Sequence, residues 1–447
     1  MESPRRNAAP DSKSRHASLT AEDDEFVYAV CERFFQCMKE THEAGASTAK
    51  RRPGPAASVV DWLVRERGRT DVTREKIYPL IWQAFKRGVL LLKAPIELNL
   101  RDRLIEKYAL AGYLGPSAGS SASAGFDASR AAASDAALVA GSDASRASVA
   151  ATERTVGGAD VDRKLVVVNV SGPTASQHVG SVAADEIIKL IYRVSAEKKA
   201  RALAEGRDPN ETRVHLGLGA GYAAMEVAKR LAGRADAQTP KLTLHAISPG
   251  GFYIPKEQMD PTVYFHYFIN AGLDVECVGL FSTPVVATED FERLKRNPSL
   301  RRCFERRDEI DIIATSLASA DDEHGLFRKY FEHLRAENLV DASALPALEA
   351  QGWVGDVLFQ PFSPTGALTP RSYRAVALFT FDELAAFSRR PGKHVVVIGG
   401  PCGACGAPKT NALRPLLENE RARLWTRLIV DRDAAKALLG DDAPSNG

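Results

Sequence analysis

The sequence lacks the long apolar runs that membrane-spanning and exported proteins need. No stretch reaches the roughly 18 consecutive apolar residues of a transmembrane helix. The N-terminal stretch MESPRRNAAPDSKSRHAS also has no apolar core of a secretory signal. We therefore expect a cytoplasmic protein without a membrane partner. The six cysteines among 447 residues are few and scattered, so reduced thiols are expected.

The excess of charge of either sign is also small. The chain has 59 Lys and Arg residues against 57 Asp and Glu residues, a formal net charge of +2. This balance produces no whole-protein field that would attract nucleic acid, so DNA binding requires a local basic patch. Apolar residues make up 45% of the chain, which is ordinary for a globular protein. The length of 447 residues is enough for two or three domains.

Complete motifs for metals and common cofactors are missing as well. No Walker lysine follows a glycine loop, and the sequence contains no convincing Ser/His/Asp assembly. Cys402 and Cys405 form a C-x-x-C pair, but a structural zinc site needs four ligands. No second C-x-x-C and no paired histidine motif supplies the other two. We therefore predict no metal and no cofactor, and interpret the pair as small cysteines packed in a glycine loop.

Composition divides what is present into four parts. Residues 1–24 are polar and predicted to be disordered. Residues 25–113 are predicted to form a helical, winged helix-turn-helix-like domain, because a helix, a short turn, a helix and a strand follow one another there. Residues 114–160 are a low-complexity Ala/Ser linker or insertion. Residues 161–447 carry a different pattern and are predicted to form one domain.

The predicted C-terminal domain alternates apolar strand-like runs with helical segments. The runs are KLVVVNV, RVHLGLG, KLTLHAI, VECVGLF, EIDIIATSL, VLFQPF, HVVVIGG and RLWTRLIVD. Continuous apolar strands between helices predict an α/β fold with a doubly wound, mostly parallel sheet covered on both faces. Ligands of such sheets bind at the carboxyl ends of the strands.

A glycine turn stands at one of these strand ends, in GLGAGYAAMEVAKRL. Gly217, Gly219 and Gly221 permit a close approach of the backbone to a ligand, and the following helix N-terminus suits an anion such as phosphate. The G-x-G-x-G spacing does not match dinucleotide-binding loops. A tight strand-to-helix turn without a ligand remains the alternative.

Two further strand ends repeat this arrangement. Gly250 and Gly251 follow KLTLHAI, while Gly399 and Gly400 end HVVVIGG. Lys409 then lies near the start of the last long helix, where a lysine beside a glycine loop is a natural partner for an anion. The alternative is a solvated surface lysine.

Taken together, five segments in residues 161–439 resemble the effector-binding domain of SorC-type bacterial transcriptional regulators. The segments are GLGAGYAAMEVAKRL, LFSTPVVATEDFERL before EIDIIATSLAS, GWVGDVLFQPFSPTG, GGPCGACGAPKTNAL and LIVDRDAAKALL. The resemblance implies a phosphosugar isomerase-like fold without catalysis, a sugar or sugar phosphate as effector, and a homo-oligomer, dimer or tetramer.

The same resemblance implies roles for individual residues. It makes Gly217, Gly219 and Gly221 the phosphate loop, Asp356 an acid behind it, and Lys409 the closing phosphate ligand. Ala223 and Ala224 stand where the family usually has Thr or Ser, so one hydroxyl donor is lost. Because sugar-phosphate deaminases of related fold use an Asp and a His near such a strand end, His324 is the candidate of an enzymatic alternative.

Residues 72–110 resemble the end of that family's DNA-binding domain. The positions assigned to double-stranded DNA are Thr73, Arg74, Lys76, Tyr78, Lys86 and Arg87. Pro79 lies past the first turn of the presumed recognition helix and is expected to kink it or delay its start. A solvated basic face, a degenerate helix-turn-helix used for oligomerisation, and a sugar-binding protein that no longer binds DNA remain alternatives.

Overall fold

The computed structural model describes residues 24–43, 54–86, 95–115, 162–172, 174–234, 238–250, 259–337, 340–341 and 343–441. Most of the predicted N-terminal disorder and of the predicted Ala/Ser linker falls outside these residues. So do two of the predicted site residues, Gly251 and Arg87. The chain divides into two compact units, Met1–Lys93 and Ala94–Gly447.

Three helices make up the described part of the first unit: α1 (Asp24–Glu43), α2 (Pro55–Arg67) and α3 (Arg74–Lys86). Each helix packs against the other two around a core that includes Val30, Leu63 and Ile77, all fully buried. Helix α2 ends at Gly68, which adopts the left-handed conformation with φ 62°, as its sequence predicts.

The predicted delay of helix α3 at Pro79 is wrong. The helix starts at Arg74, directly after Thr73, and includes Pro79. Pro79 lies on the exposed side, and its missing N–H removes a single intrahelical hydrogen bond.

The second unit contains the remaining helices and the strands of the described part of the chain. Its helices are α4 (Leu98–Lys107), α5 (Ala111–Leu114), α6 (Ala175–Ala204), α7 (Tyr222–Arg234), α8 (Pro261–Asn270), α9 (Thr288–Lys295), α10 (Pro298–Glu305), α11 (Leu326–Ala336), α12 (Ala344–Ala350), α13 (Phe381–Phe387), α14 (Thr410–Glu418) and α15 (Arg432–Leu439). Its strands are β1 (Lys164–Val168), β2 (Val214–Leu218), β3 (Leu242–Ala246), β4 (Val275–Val278), β5 (Val285–Ala287), β6 (Ile312–Ser316), β7 (Ala318–Ser319), β8 (Gly355–Val357), β9 (Gln360–Ser363), β10 (Gly366–Ala367), β11 (Tyr373–Ala375), β12 (His394–Gly399) and β13 (Arg427–Asp431). None of the described helices is long and apolar enough to cross a lipid bilayer.

Seven strands form one sheet in the order β1-β13-β12-β6-β2-β3-β4. Every neighbouring pair in it is parallel. Strands β3, β6, β12 and β13 are buried along their whole length, so helices cover both faces of the sheet. The predicted α/β class with a doubly wound, mostly parallel sheet is confirmed.

One of the eight apolar runs does not join this sheet. VLFQPF contains the end of β8, a two-residue turn and most of β9, which pair as an antiparallel hairpin. Strand β8 also pairs with β7, directly after β6. The hairpin therefore lies next to the carboxyl end of β6, which is the central strand of the seven-stranded sheet.

The division between the two units falls at Lys93–Ala94, rather than at residue 113. Ile96 forms an antiparallel bridge with Val168, and Leu104 belongs to the core of the α/β unit. The Tyr108 hydroxyl donates to the Leu438 carbonyl at 2.9 Å. The segment predicted to carry the wing and its following helix therefore packs, in its described part, against the α/β unit.

Candidate functional site

A cavity of about 300 Å³ opens where strands β2 and β6 end. The chain proceeds from β2 toward β3 on one side and later returns through β6 on the other. This reversal makes the β2–β6 junction a topological switch point, the position at which open α/β sheets bind ligands. The residues that line the cavity are Ala220, Gly221, Tyr222, Met259, Ser316, Leu317, Ala318, Asp322, His324, Gly325, Leu326, Lys329, Asp356, Leu358, Phe359, Cys402, Gly403, Ala404 and Lys409.

The glycine loop reaches this cavity at Gly221. Its φ is 120°, a conformation that favours glycine, and a Cβ there would lie 2.5 Å from the Ser316 hydroxyl. Its N–H donates to the Met259 carbonyl at 3.0 Å and to the Tyr264 hydroxyl at 3.2 Å. The Ala220 N–H donates to the Ser248 hydroxyl at 2.8 Å. The N–H groups of Ala220 and Gly221 thus already bond to acceptors within the protein. A ligand at this position would instead face the N–H groups in the first turn of α7.

Lys409 lies at the N-terminus of α14 and is buried, with only 8% of its surface exposed. The alternative of a solvated surface lysine is therefore wrong. Its ammonium donates to the Leu317 carbonyl at 2.7 Å. Burial lowers the pKa of Lys409, against the opposing attraction of nearby acids, of which Asp322 is the strongest. The cavity wall thus includes a lysine that is largely removed from solvent.

Asp356, in β8, is the second buried ionisable group of the cavity. Burial raises the pKa of its carboxyl to about 8, although the Lys409 ammonium opposes this shift. Asp322 adds to the increase because a second negative charge nearby is unfavourable. At neutral pH the Asp356 carboxyl is mostly protonated and can donate a hydrogen bond as well as accept one.

A strained turn forms part of the cavity wall. Leu358 and Phe359 connect β8 to β9 and have φ values of 52° and 61°. Two-residue hairpin turns with positive φ at both positions normally use Asn or Gly. Left-handed backbone costs these two side chains about 1–2 kcal/mol each. Both side chains are buried and line the cavity. The strained turn therefore places two apolar side chains at the site.

The structure brings three of the nine predicted ligand residues to the cavity: Gly221, Asp356 and Lys409. Gly217 and Gly219 pack inside the protein, where a Cβ would lie 2.8 Å from Ile247 and 2.5 Å from the Thr315 hydroxyl respectively. The other described glycines also lie away from the lining residues: Gly250, Gly399 and Gly400. These residues shape the strand ends rather than the cavity surface.

Two pairs of residues that the sequence did not connect with each other meet at the rim of the cavity. Asp322, His324, Cys402 and Cys405 each present one donor atom, and these atoms all lie within 4.8 Å of one another. His324, the candidate of the enzymatic alternative, has 40% of its side chain exposed and its Nδ1 lies 3.4 Å from the Asp322 carboxylate. Asp322 belongs to no recognisable sequence motif, and only the fold brings it beside the cysteines.

The predicted DNA contacts lie on α3 and just before it. Arg74, Tyr78 and Trp82 are spaced four residues apart, so they form one stripe on the exposed face of this helix. Tyr78 and Trp82 are 55% and 62% exposed. Thr73 is also exposed, and the Lys76 ammonium donates to the Asp71 carbonyl at 2.8 Å. Nothing is described of the Lys86 side chain. The stripe thus combines one cation with two aromatic rings.

Comparison with known proteins gives matches among solved structures alone. No protein-family model and no curated protein matches the chain. The full-length sorbitol operon regulator SorC from Klebsiella pneumoniae is similar over 94% of this chain and 99% of its own, at 12% identity and a TM-score of 0.50. This likeness confirms the predicted resemblance to SorC-type regulators as a likeness of fold, including the small helix-turn-helix-like N-terminal part.

Two other solved structures cover a smaller share of this chain. A probable sor operon regulator from Shigella flexneri is similar over 62% of this chain and 94% of its own, at 15% identity and a TM-score of 0.44. A domain of a possible sugar-binding transcriptional regulator from Arthrobacter aurescens is similar over 63% and 93%, at 17% identity and a TM-score of 0.41.

Proposed function

We propose that the α/β unit binds a sugar phosphate, or a related sugar, in the cavity at the β2–β6 junction, and that the chain is a transcriptional regulator controlled by this ligand. The observation that carries the proposal is the buried Lys409 ammonium, which lies with Asp356 at the end of a parallel sheet. Burial makes this cation unfavourable, and nearby acids, of which Asp322 is the strongest, compensate only part of that cost, so a further counter-charge is favourable. A phosphate group supplies that charge.

The other properties of the cavity suit the same ligand. A volume of about 300 Å³ is at the lower end of the range for small-molecule sites. The N-terminus of α7 adds a partial positive charge on the side of Tyr222. Protonated Asp356 donates a hydrogen bond to a phosphate or hydroxyl oxygen, while Leu358 and Phe359 supply an apolar surface for the face of a sugar ring.

Sensing rather than turnover is the role we infer for this binding. The SorC protein from Klebsiella pneumoniae, whose fold this chain shares, is named as an operon regulator. A sensor requires two states that the ligand stabilises unequally. We propose that the ligand changes the packing of a homo-oligomer, dimer or tetramer, and thereby the spacing of paired α3 helices on double-stranded DNA.

Ligand binding is tested by thermal unfolding of the full chain with a panel of hexose and pentose phosphates, the matching free sugars and inorganic phosphate. A ligand that binds the folded state raises the melting temperature in proportion to its concentration and affinity. We expect at least one sugar phosphate to stabilise the wild type and to have no effect on Lys409→Met. The matched control is Lys241→Met, an exposed lysine just before β3.

Two outcomes of this experiment count against the proposal. One is a shift of equal size in Lys409→Met, which would place the anion elsewhere. The other is conversion of the bound sugar phosphate to a product, abolished by His324→Ala, which would favour the isomerase or deaminase alternative because His324 also lines the cavity. Product analysis of the same samples distinguishes sensing from turnover.

A second reading of the first unit has its own observation. The exposed rings of Tyr78 and Trp82 are unusual for a helix that reads base edges and suit a protein interface instead. In this reading the chain binds the sugar phosphate and associates through α3 without binding DNA. Selection of duplexes from a random-sequence pool, with and without the sugar phosphate, distinguishes the two because only a regulator enriches a common site.

A further inference from the structure

The rim of the cavity carries a cluster of sulfur, nitrogen and oxygen atoms that could bind a metal ion. Cys402 and Cys405 lie on the loop between β12 and α14, whereas Asp322 and His324 lie on the turn between β7 and α11. The four donor atoms are all within 4.8 Å of one another. In a tetrahedral zinc site with Zn–S bonds of about 2.3 Å, neighbouring ligand atoms are roughly 3.5–4 Å apart. Small side-chain rotations therefore convert this cluster into a coordination shell.

We propose that Cys402, Cys405, His324 and Asp322 bind one Zn²⁺ ion and so fasten the two loops at the rim of the cavity. Two thiolates, one imidazole and one carboxylate are a donor set that Zn²⁺ accepts, and four protein ligands complete a closed, structural site. Binding replaces the protons of the two thiols, so two protons leave as the ion enters. The inference does not depend on the proposed sugar phosphate or on DNA binding.

The cysteine loop has the local structure that a metal thiolate needs. Burial raises the pKa of the Cys402 thiol to about 11 in the absence of an ion, and the Asp322 carboxylate adds to this increase. The backbone N–H groups of Cys405 and Ala404 point at the Cys402 sulfur and act in the opposite direction, because such bonds stabilise the negative charge of a thiolate. The Gly406 N–H donates to the Cys402 carbonyl at 2.9 Å. Gly406 adopts φ 76°, which turns the chain back directly after the second cysteine. Both sulfur atoms thus face one side of a tight turn.

The opposite loop is also fixed before any ion binds. The Asp322 carboxylate accepts the His324 N–H at 2.9 Å, and the Gly325 N–H donates to the Asp322 carbonyl at 3.0 Å. Next to the cluster, the Asn411 side chain donates to the Asp321 carboxylate at 2.9 Å. This bond joins the turn that carries Asp322 and His324 to the first turn of α14, directly after the cysteine loop, so binding of the ion requires little further ordering.

Cobalt substitution tests this site directly. The full chain is stripped of metal with a chelator, kept reduced, and titrated with Co²⁺ in the absence of any sugar. We expect about one equivalent to produce the thiolate-to-cobalt charge-transfer band and the strong visible bands of tetrahedral Co²⁺, and Zn²⁺ to displace it. The Cys402→Ser/Cys405→Ser double variant should lose the charge-transfer band, and Cys405→Ser alone should weaken it because one thiolate remains. Cys277→Ser, which alters another exposed cysteine, should retain it.

The charge-transfer band also separates this cluster from another group of possible ligands. His215, His245 and Glu309 lie close together elsewhere in the α/β unit, and cobalt bound there would show no sulfur band. Because His324 is on an exposed turn, His324→Ala gives a second variant that keeps its fold, and its visible bands should shift or weaken. A wild type without the band, or a band retained in the Cys402→Ser/Cys405→Ser double variant, overturns the proposal.

A stability measurement completes the test and is independent of spectroscopy. Zn²⁺ at a concentration far above its Kd should raise the melting temperature of the wild type by several degrees, roughly as expected for a ligand in large excess. Cys405→Ser should show no such increase, with circular dichroism confirming its fold. A wild type that a sugar phosphate stabilises and Zn²⁺ does not would overturn the zinc proposal alone. The reverse result would overturn the sugar-phosphate proposal alone.

Discussion

The Lys409 ammonium and the Leu317 carbonyl are joined by a 2.7 Å hydrogen bond that connects the start of α14 to the end of β6. This bond fixes the position of the ammonium at the cavity wall without neutralising its charge. The carbonyl dipole compensates part of the cost of burying the cation, and nearby acids, of which Asp322 is the strongest, compensate a further part. The arrangement leaves the lysine able to gain from an anionic ligand, which is the physical basis of the proposed binding.

Removal of this lysine should separate stability from binding. In Lys409→Met the Leu317 carbonyl loses its donor, which costs about 1–3 kcal/mol. The variant also no longer buries a cation, which recovers a comparable amount. We therefore expect the unliganded variant to melt within a few degrees of the wild type while losing its response to the sugar phosphate. A large loss of stability without ligand would instead assign Lys409 a purely structural role.

The binding of an anion should weaken at alkaline pH because of Asp356. Its pKa is raised to about 8 by burial, so the carboxyl gains a negative charge as the pH rises through that value. Sugar phosphates are already mostly dianionic at pH 7, with a second pKa of about 6, so the charge of the ligand changes little above that pH. We expect affinity to fall about tenfold, or ~1.4 kcal/mol, between pH 7 and pH 9, measured by isothermal titration calorimetry.

The Asp356→Asn variant provides the control for this pH dependence. Asparagine imitates the protonated carboxyl in shape and keeps a donor, but it cannot ionise. The variant should bind nearly as well as the wild type at pH 7 and lose less affinity toward pH 9. Lys409 also loses charge as the pH rises, because burial lowers its pKa, so some decrease should remain. Identical pH profiles for the two proteins would exclude Asp356 from the site.

Sequence patterns predicted the sheet well because burial on both faces leaves continuous apolar runs. HVVVIGG and RLWTRLIVD, for example, contain β12 and β13. The glycine pattern was a weaker guide. Gly217 and Gly219 are required because Ile247 and Thr315 approach too closely for a side chain, and such contacts between distant strands cannot be recognised in one sequence. Of the three glycines in this G-x-G-x-G pattern, Gly221 is the one that lines the cavity.

The parts of the site that could not be predicted depend on tertiary structure. Leu358 and Phe359 have the residue types of a buried strand, yet they form a tight turn because β8 and β9 pair around them. The C-x-x-C pair was set aside because no second ligand pair follows it in sequence. Asp322 and His324 lie far away along the chain, and only the adjacent ends of β6 and β12 bring them beside the cysteines.

The contribution of α3 to DNA binding can be measured through its salt dependence. Arg74 is exposed at the first position of this helix. If it contacts a backbone phosphate, Arg74→Ala should weaken binding to all duplexes alike and reduce the slope of log K against log salt by about 1. Fluorescence anisotropy with a labelled duplex between low and moderate salt gives this slope.

Arg335→Ala is the matched control, because Arg335 is an exposed arginine near the end of α11 in the α/β unit. Its salt slope should equal that of the wild type. Trp82→Ala addresses the interface reading of the same helix face. A change of oligomeric state in Trp82→Ala, combined with an unchanged slope in Arg74→Ala, would assign α3 to protein contacts rather than to DNA.

Buried histidines should limit the stability of the α/β unit in acid. His394, at the start of β12, is 5% exposed, and burial lowers its pKa to about 4, with Arg427 adding to the effect. The folded state therefore binds fewer protons than the unfolded state, whose histidine has a pKa of about 6.5. The stability from this residue is complete above pH 6.5 and is lost as the pH falls toward 4, at ~1.4 kcal/mol per pKa unit, or about 3 kcal/mol in all.

Replacing this residue tests the argument because leucine fills a similar volume without titrating. His394→Leu should unfold at a lower pH than the wild type when circular dichroism is followed from pH 7 to pH 4. The effect at pH 7 should be small, since the His394 Nδ1 is a buried atom without a hydrogen-bond partner among the described residues. His266→Leu, at an exposed position on α8, should leave the acid midpoint unchanged. An equal shift in both variants would attribute the acid sensitivity to general hydrophobicity rather than to the charging of a buried imidazole.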